Sequence, residues 1–71
     1  MELFIKEFAE KIKELRLEKN LSQQALAKQI GYKQPAVAKW EAGLQIPIIS
    51  VAIAYANFLN ISIDFLLGLE I

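Results

Sequence analysis

The segment from Leu21 to Gly43 constrains the fold more than any other part of the chain. It reads LSQQALAKQIGYKQPAVAKWEAG, with two short helical patterns on either side of Gly31. Ser22 is a good N-cap for the first pattern because its hydroxyl can accept a free backbone N–H, and Gly31 stands where a left-handed residue commonly ends a helix. Pro35 lies in the opening turn of the second pattern, where proline is tolerated. Two helices joined by a turn of roughly three or four residues containing glycine form a helix-turn-helix.

This segment resembles the DNA-binding helix-turn-helix of the phage Cro and cI repressors and their many bacterial relatives. The resemblance is carried by L-S-Q, L-A, I-G, Q-P-A-V and W-E-x-G at uninterrupted spacing, and it extends from about Phe4 to Gly68. It implies an all-α, compact five-helix domain of the lambda-repressor type. Residues 1–71 are then a single domain in which helices 2 and 3 form the helix-turn-helix.

Composition limits the classes of function that are open to the chain. The chain of 71 residues suffices for one small domain. It lacks cysteine and histidine, which removes thiolate ligands, the commonest metal ligand and the commonest general base. There is also no glycine-rich phosphate loop and no carboxylate pair in an apolar setting, so we expect neither an enzyme nor a bound cofactor or metal.

The sequence shows no targeting segment. The N-terminal residues mix charges every few positions and have no apolar core of a secretory signal. The longest apolar run, from Ile46 to Leu59, is interrupted by polar residues and proline and is too short to span a bilayer. Together with the resemblance, this predicts a cytoplasmic, nucleoid-associated protein of a prokaryote or phage, with no membrane association.

Apolar periodicity and turn residues predict five helices. We expect helix 1 at about residues 3–19, helix 2 at about 23–30, helix 3 at about 34–42, helix 4 at about 48–59 and helix 5 at about 63–67. The stripe of helix 4 that is expected to face the core consists of Ile49, Ala52, Ile53, Ala56 and Leu59. This leaves a surplus of apolar residues, namely Ile48, Val51, Tyr55 and Phe58.

Arg16 is the one arginine among eight basic residues. In the resembled family an arginine at this place often pairs with the glutamate of the W-E pair, which is Glu41 in this chain. A planar guanidinium can bind a carboxylate through two hydrogen bonds in a partly buried site where lysine fits poorly. We expect an Arg16–Glu41 ion pair that ties helix 1 to the end of helix 3. The alternative is a solvated arginine, since exposed ion pairs contribute little.

The resemblance implies that helix 3 enters the major groove of double-stranded DNA with its N-terminal residues against base edges. The amide of Gln34 can pair with N6 and N7 of adenine, and Lys39 can donate to guanine or phosphate. Pro35 and Ala36 can contact a thymine methyl. The resemblance places Gln23 against a phosphate, as helix N-termini bind phosphate, although local capping is an alternative. The expected DNA-binding residues are Gln23, Lys33, Gln34, Pro35, Ala36, Lys39 and Gln45.

Three features depart from the family or weaken the attraction to DNA. Lys33 stands where relatives commonly carry a Ser or Thr cap, and lysine cannot accept a capping bond, a loss on the order of 1 kcal/mol. The loop of residues 43–47 is usually basic in relatives but carries no charge here. Eight acidic and eight basic residues give a net charge of zero. Attraction to phosphate therefore depends on the local placement of charge.

The apolar content of the C-terminal half predicts a protein partner. Hydrophobic residues make up 55% of the chain, above the usual range, and large exposed apolar patches mark interfaces. We expect a homodimer that sets two recognition helices about 34 Å apart; the alternative is that some of these residues thicken a small core. The expected interface residues are Val51, Phe58, Phe65, Leu69 and Ile71.

The leading hypothesis is a sequence-specific DNA-binding transcription regulator, most simply a repressor that occupies an operator. One alternative is an antitoxin of the same fold whose apolar C-terminal half also binds a toxin. Another is a protein-interaction module that has lost DNA binding. The zero net charge and the uncharged loop favour this last class, whereas the amides and lysines at the start of helices 2 and 3 disfavour it.

Overall fold

The computed structural model describes residues 2–68, with side chains from residue 5 onward. Within this range the chain forms α1 (Glu2–Glu18), α2 (Gln23–Ile30), α3 (Gln34–Glu41), α4 (Ile49–Leu59) and α5 (Ile63–Leu67). The expected all-α, five-helix architecture is confirmed, with bounds within one residue of those predicted. None of the helices in residues 2–68 combines the length and the apolar character needed to cross a bilayer.

Serine caps and left-handed residues set the helix ends. The hydroxyls of Ser22 and Ser62 each accept a bond of 3.0 Å from the amide three residues later, which satisfies a donor that the helix leaves unpaired. Gly31 follows α2 with a φ of 82°, a conformation that glycine adopts without steric cost. Asn20 follows α1 with a φ of 58°, as asparagine tolerates. These ends turn the chain sharply enough for the helices to pack on one another.

The helices bury a hydrophobic core that orients α3. In the tertiary packing, α3 contacts both α1 and α2, while α4 contacts α2 and α5. Val37 and Trp40 direct one side of α3 into the core, so its opposite side faces solvent. The core cluster consists of Phe8, Ile12, Leu26, Ala27, Val37, Trp40, Val51, Tyr55, Ala56, Leu59 and Leu66.

The inward side of α4 differs from the prediction. Ile49 and Ile53, which were expected in the core, are 63% and 47% exposed, whereas Val51 and Tyr55 are buried. The ring of Tyr55 packs edge-to-face on Trp40, with centroids 5.7 Å apart. Ser50 and Asn57, seven residues apart, lie on the same side of α4 and are exposed, opposite the buried Tyr55 and Leu59. These two polar residues are the signal that could have identified the buried stripe, since the spacing of the apolar residues alone did not.

Candidate nucleic-acid interface

The outward side of α3 carries the side chains predicted to contact base edges. Gln34, the first residue of the helix, is exposed, and so are Pro35 and Lys39. Ala36 differs because it is half-buried and packs against the core, so it offers less surface to a thymine methyl than expected. Gln34 and Lys39 are accessible to a ligand, which the DNA-binding hypothesis requires.

The residues that flank α3 are also exposed. Lys33 is the N-cap residue, and its side chain makes no capping bond, as expected for a group that cannot accept one. Its ammonium is therefore available to an anion at the start of the helix. Gln45 lies in the loop after α3 and is exposed, but the charge-free residues around it offer no attraction to phosphate.

A groove of about 390 Å³ lies between the outer side of α2 and the start of α3. Three of its lining residues, Gln24, Lys28 and Tyr32, were not among the expected DNA-binding residues. Gln24 and Lys28 are four residues apart, which places them on one side of α2, and that spacing is the signal that could have identified these two. The lining residues are Gln24, Lys28, Tyr32, Lys33, Gln34 and Pro35.

Charge is unevenly distributed over the described surface. Between residues 20 and 63 the charged residues are Lys28, Lys33, Lys39 and Glu41, and the side chain of Glu41 is only 3% exposed. The exposed glutamates are spread along α1 instead. The surface of α2 and α3 is therefore positive although the net charge of the chain is zero, and such a local field attracts an anionic partner.

The ion pair expected between Arg16 and Glu41 is present. Arg16 Nε donates to Glu41 Oε2 at 2.7 Å and Nη2 donates to Oε1 at 2.9 Å, while Nη1 donates to the Leu21 carbonyl at 2.6 Å. The hydrogen bond to Glu41 raises the pKa of Arg16 above its usual value, against the opposing effect of burial. The pair fixes the end of α3 to α1.

Two glutamines extend this network toward solvent. Gln23 Nε2 donates to Glu41 Oε1 at 3.1 Å, and Gln34 Nε2 donates to Gln23 Oε1 at 2.8 Å. The half-buried Gln23 therefore joins a buried carboxylate to an exposed amide at the start of α3. Sequence analysis did not predict this connection, because it depends on how α2 and α3 pack.

The residues predicted for a dimer interface have different environments. Val51 belongs to the core and was wrongly assigned to a surface. Phe58 is half-buried, with Lys19 Nζ 5.8 Å from its ring centroid. Phe65 is 41% exposed, and Lys11 Nζ lies 4.8 Å from its centroid. Leu69 and Ile71 lie outside the described residues. Other large apolar residues exposed on the described surface include Leu44, Ile48, Ile49 and Ile53.

Comparison with known proteins identifies the class of domain. The profile of a helix-turn-helix family matches residues 12–66. The chain is 39% identical over 64 residues to the HTH-type transcriptional activator BcrR of Enterococcus faecalis, a match covering 90% of this chain and 31% of that protein. It is 37% identical over 60 residues to the uncharacterized HTH-type transcriptional regulator YqaE of Bacillus subtilis (strain 168), covering 84% of this chain and 52% of that protein. The chain thus spans about a third of the length of BcrR and about half of the length of YqaE. No solved structure shows a significant match.

Proposed function

Because the chain belongs to the helix-turn-helix family of the Cro/cI type, we propose that it binds double-stranded DNA sequence-specifically and regulates transcription. The observation that supports this proposal is that Gln34 and Lys39 are exposed on the outward side of α3, on a surface whose accessible charges are positive. Membership of this family also agrees with the expectation that the protein is not an enzyme.

In the proposed complex, α3 lies in the major groove and its first residues reach base edges. Gln34 pairs with N6 and N7 of adenine. Lys39 lies five residues further along α3, about 7.5 Å at the helical rise, and donates to guanine or to a phosphate. Lys33 at the start of α3 and Lys28 in the adjoining groove contact phosphates, which positions the helix without reading sequence.

Selection of bound duplexes from a random pool tests this function, followed by titrations of the enriched duplex at several salt concentrations. We expect one enriched sequence and an affinity that falls as salt rises. Each phosphate contact contributes about 0.9 to the slope of log affinity against log salt. A chain that enriches no sequence and binds no duplex at about 50 mM salt, where phosphate contacts are strong, contradicts the proposal and favours a protein-interaction module.

The direction of regulation requires its own experiment. The sequence predicts repression by occupation of an operator, whereas one similar protein is named as an activator. In a reporter strain, a repressor lowers transcription when the selected site overlaps the promoter. An activator raises transcription when the same site lies upstream of the promoter. We keep repression as the prediction for this chain, and a rise from the upstream site without any fall from the overlapping site would contradict it.

We also propose that the protein acts as a homodimer through the surface that contains Phe58 and Phe65. The Phe65 ring lies 4.8 Å from Nζ of Lys11 on α1, and the Phe58 ring lies 5.8 Å from Nζ of Lys19, the residue after α1. Leu69 and Ile71 follow in the sequence. A two-fold contact between these surfaces is self-complementary. It would set the two α3 helices at a spacing of about 34 Å, which matches successive major grooves.

A further inference from the structure

We propose that the hydroxyl of Tyr32, in the turn between α2 and α3, donates a hydrogen bond to a phosphate of the DNA backbone. This inference rests on the proposed DNA-binding function and adds an uncharged contact residue to it. A phosphate contact positions a duplex on the protein without reading its sequence. Tyr32 thereby helps to set the register in which α3 meets the bases.

The turn holds the backbone of Tyr32 in a fixed place. Gly31 ends α2 with a φ of 82°, and the Tyr32 amide then donates to the Ala27 carbonyl at 2.8 Å. The Gly31 amide donates to the Lys28 carbonyl at 3.4 Å, which completes the pair of bonds typical of a Schellman motif. The position of the Tyr32 Cα relative to α2 is therefore determined before any ligand binds.

The ring of Tyr32 is held as well. It packs edge-to-face on Trp40, with centroids 5.4 Å apart and an angle of 78° between the ring planes. Trp40 is only 6% exposed, whereas Tyr32 is 37% exposed, so a partly accessible ring is supported by a buried one. Tyrosine also has few rotatable bonds. Its hydroxyl can therefore bind a phosphate with a smaller loss of conformational entropy than the long side chain of a lysine.

Tyr32 borders the groove of about 390 Å³ between α2 and α3, together with Gln24, Lys28 and Lys33. The two ammonium groups, the amide NH₂ group and the hydroxyl are all hydrogen-bond donors, and none of the residues that line this groove is acidic. The oxygens of a phosphodiester are acceptors and carry a negative charge. The chemistry of the groove therefore fits a backbone phosphate.

Tyr32 and the lysines of the groove should contribute to affinity in different ways. A lysine that neutralises a phosphate releases counterions, so its contribution weakens as salt rises. The phenol is uncharged and releases none. We therefore expect the contribution of the Tyr32 hydroxyl to be the same at every salt concentration, and this independence from salt distinguishes it from Lys28 and Lys33.

The first test compares Tyr32→Phe with the wild type. The substitution removes one oxygen and keeps the ring that packs on Trp40. We expect the affinity for the selected duplex to fall about tenfold per protomer, as for a hydrogen bond to a charged group, with an unchanged slope of log affinity against log salt. Tyr55→Phe is the matched control, because it removes the same atom from a buried ring and should leave the affinity unchanged.

The second test identifies the acceptor. Each phosphate of the selected duplex is replaced in turn by an uncharged methylphosphonate, and the affinities of the wild type and Tyr32→Phe are measured. At one position the wild type should bind as weakly as Tyr32→Phe, because the hydroxyl has lost its charged acceptor; at the other positions the tenfold difference should persist. This is a double-mutant cycle between a side chain and a phosphate.

The outcomes separate the inference from the function on which it rests. Equal affinities of Tyr32→Phe and the wild type overturn the inference while DNA binding stands. A loss in Tyr32→Phe that persists at every methylphosphonate position also overturns it, since the hydroxyl then contacts no phosphate. A wild-type chain that binds no duplex contradicts the proposed function, and the phosphate contact fails with it. A loss that is independent of salt and disappears at one position supports the contact.

Discussion

Arg16 and Glu41 lie 25 residues apart in the chain and are joined by two hydrogen bonds of 2.7 and 2.9 Å. Their side chains are only 8% and 3% exposed. Removing one partner of a nearly buried pair leaves an uncompensated charge, which typically costs about 3–5 kcal/mol. We expect Arg16→Ala to lower the free energy of unfolding by about 3 kcal/mol in urea denaturation. Lys13→Ala on the exposed side of α1 is the control and should stay within about 0.5 kcal/mol.

Replacing both partners should be less damaging than replacing one. Two apolar residues of similar volume in place of a buried ion pair are often neutral for stability. We therefore expect the double variant Arg16→Met/Glu41→Met to be more stable than Arg16→Met alone, as measured by a double-mutant cycle. If the two losses simply add, the pair is not coupled and the ion-pair account of this contact is wrong.

The lysines of the α2–α3 surface should act on DNA affinity in a salt-dependent way. Lys33→Ala and Lys39→Ala each remove one candidate phosphate contact, so each should lower the slope of log affinity against log salt by about one unit per protomer. Titrations at several salt concentrations measure this slope, with Lys13→Ala as a control of equal charge change on α1. Equal slopes for all three variants would show that the positive surface does not face the duplex.

The dimer interface can be located by paired substitutions. Phe65→Glu places a charge on the proposed α5 surface and should yield monomers in sedimentation velocity. Ile49→Glu places the same charge on an apolar residue of α4 that is more exposed but outside the proposed interface, so it should leave the mass unchanged. The reverse result would move the interface to the start of α4 and contradict the assignment to Phe58 and Phe65.

The hydroxyl of Tyr55 is buried and has no hydrogen-bond partner among the described residues. Burial raises the pKa of this hydroxyl, and the nearby charge of Glu41 adds to the effect. A buried hydroxyl without a hydrogen bond loses its hydration on folding and gains no bond that offsets the loss. Tyr55→Phe should therefore keep the stability of the wild type or raise it by up to about 1 kcal/mol. Loss of more than about 1 kcal/mol in urea denaturation would indicate a partner for the hydroxyl.

The raised pKa of the Tyr55 hydroxyl also affects stability at high pH. An unfolded tyrosine ionises near pH 10, whereas folded Tyr55 keeps its proton to higher pH. The unfolded state therefore binds fewer protons above about pH 10, and stability that is complete below this pH falls as pH rises. Between about pH 8 and 11, the free energy of unfolding should fall less with rising pH in Tyr55→Phe than in the wild type. An identical loss would contradict the shifted ionisation.

The helix-turn-helix could be predicted from sequence because its signals are local. Ser22 caps α2 through its own hydroxyl, and Gly31 adopts the left-handed conformation that its position indicated. The Arg16–Glu41 pair also followed from residue type and family resemblance. These features depend on residues whose chemistry allows few other roles.

The rest depends on packing that a sequence does not encode locally. The contact between Tyr55 of α4 and Trp40 of α3 depends on the relative position of two helices, although the exposed polar residues Ser50 and Asn57 do mark the solvent side of α4. The bond between Gln23 and Gln34 joins two helices, so it requires their relative position. The DNA contacts of these residues remain predictions until a duplex is bound.

The missing cap at Lys33 has a thermodynamic consequence for the recognition end of α3. The side chain of Lys33 makes no capping bond to the backbone of this first turn; Pro35 supplies no amide proton, and the Ala36 amide bonds to the Lys33 carbonyl at 3.0 Å. Such a turn opens locally at low free energy, so its amide protons should exchange faster than those of the serine-capped α2. If binding to a duplex orders this turn, the conformational entropy lost in the turn offsets part of the binding free energy. Affinity should then decline more steeply with rising temperature than in a protein whose recognition helix is fully ordered before binding.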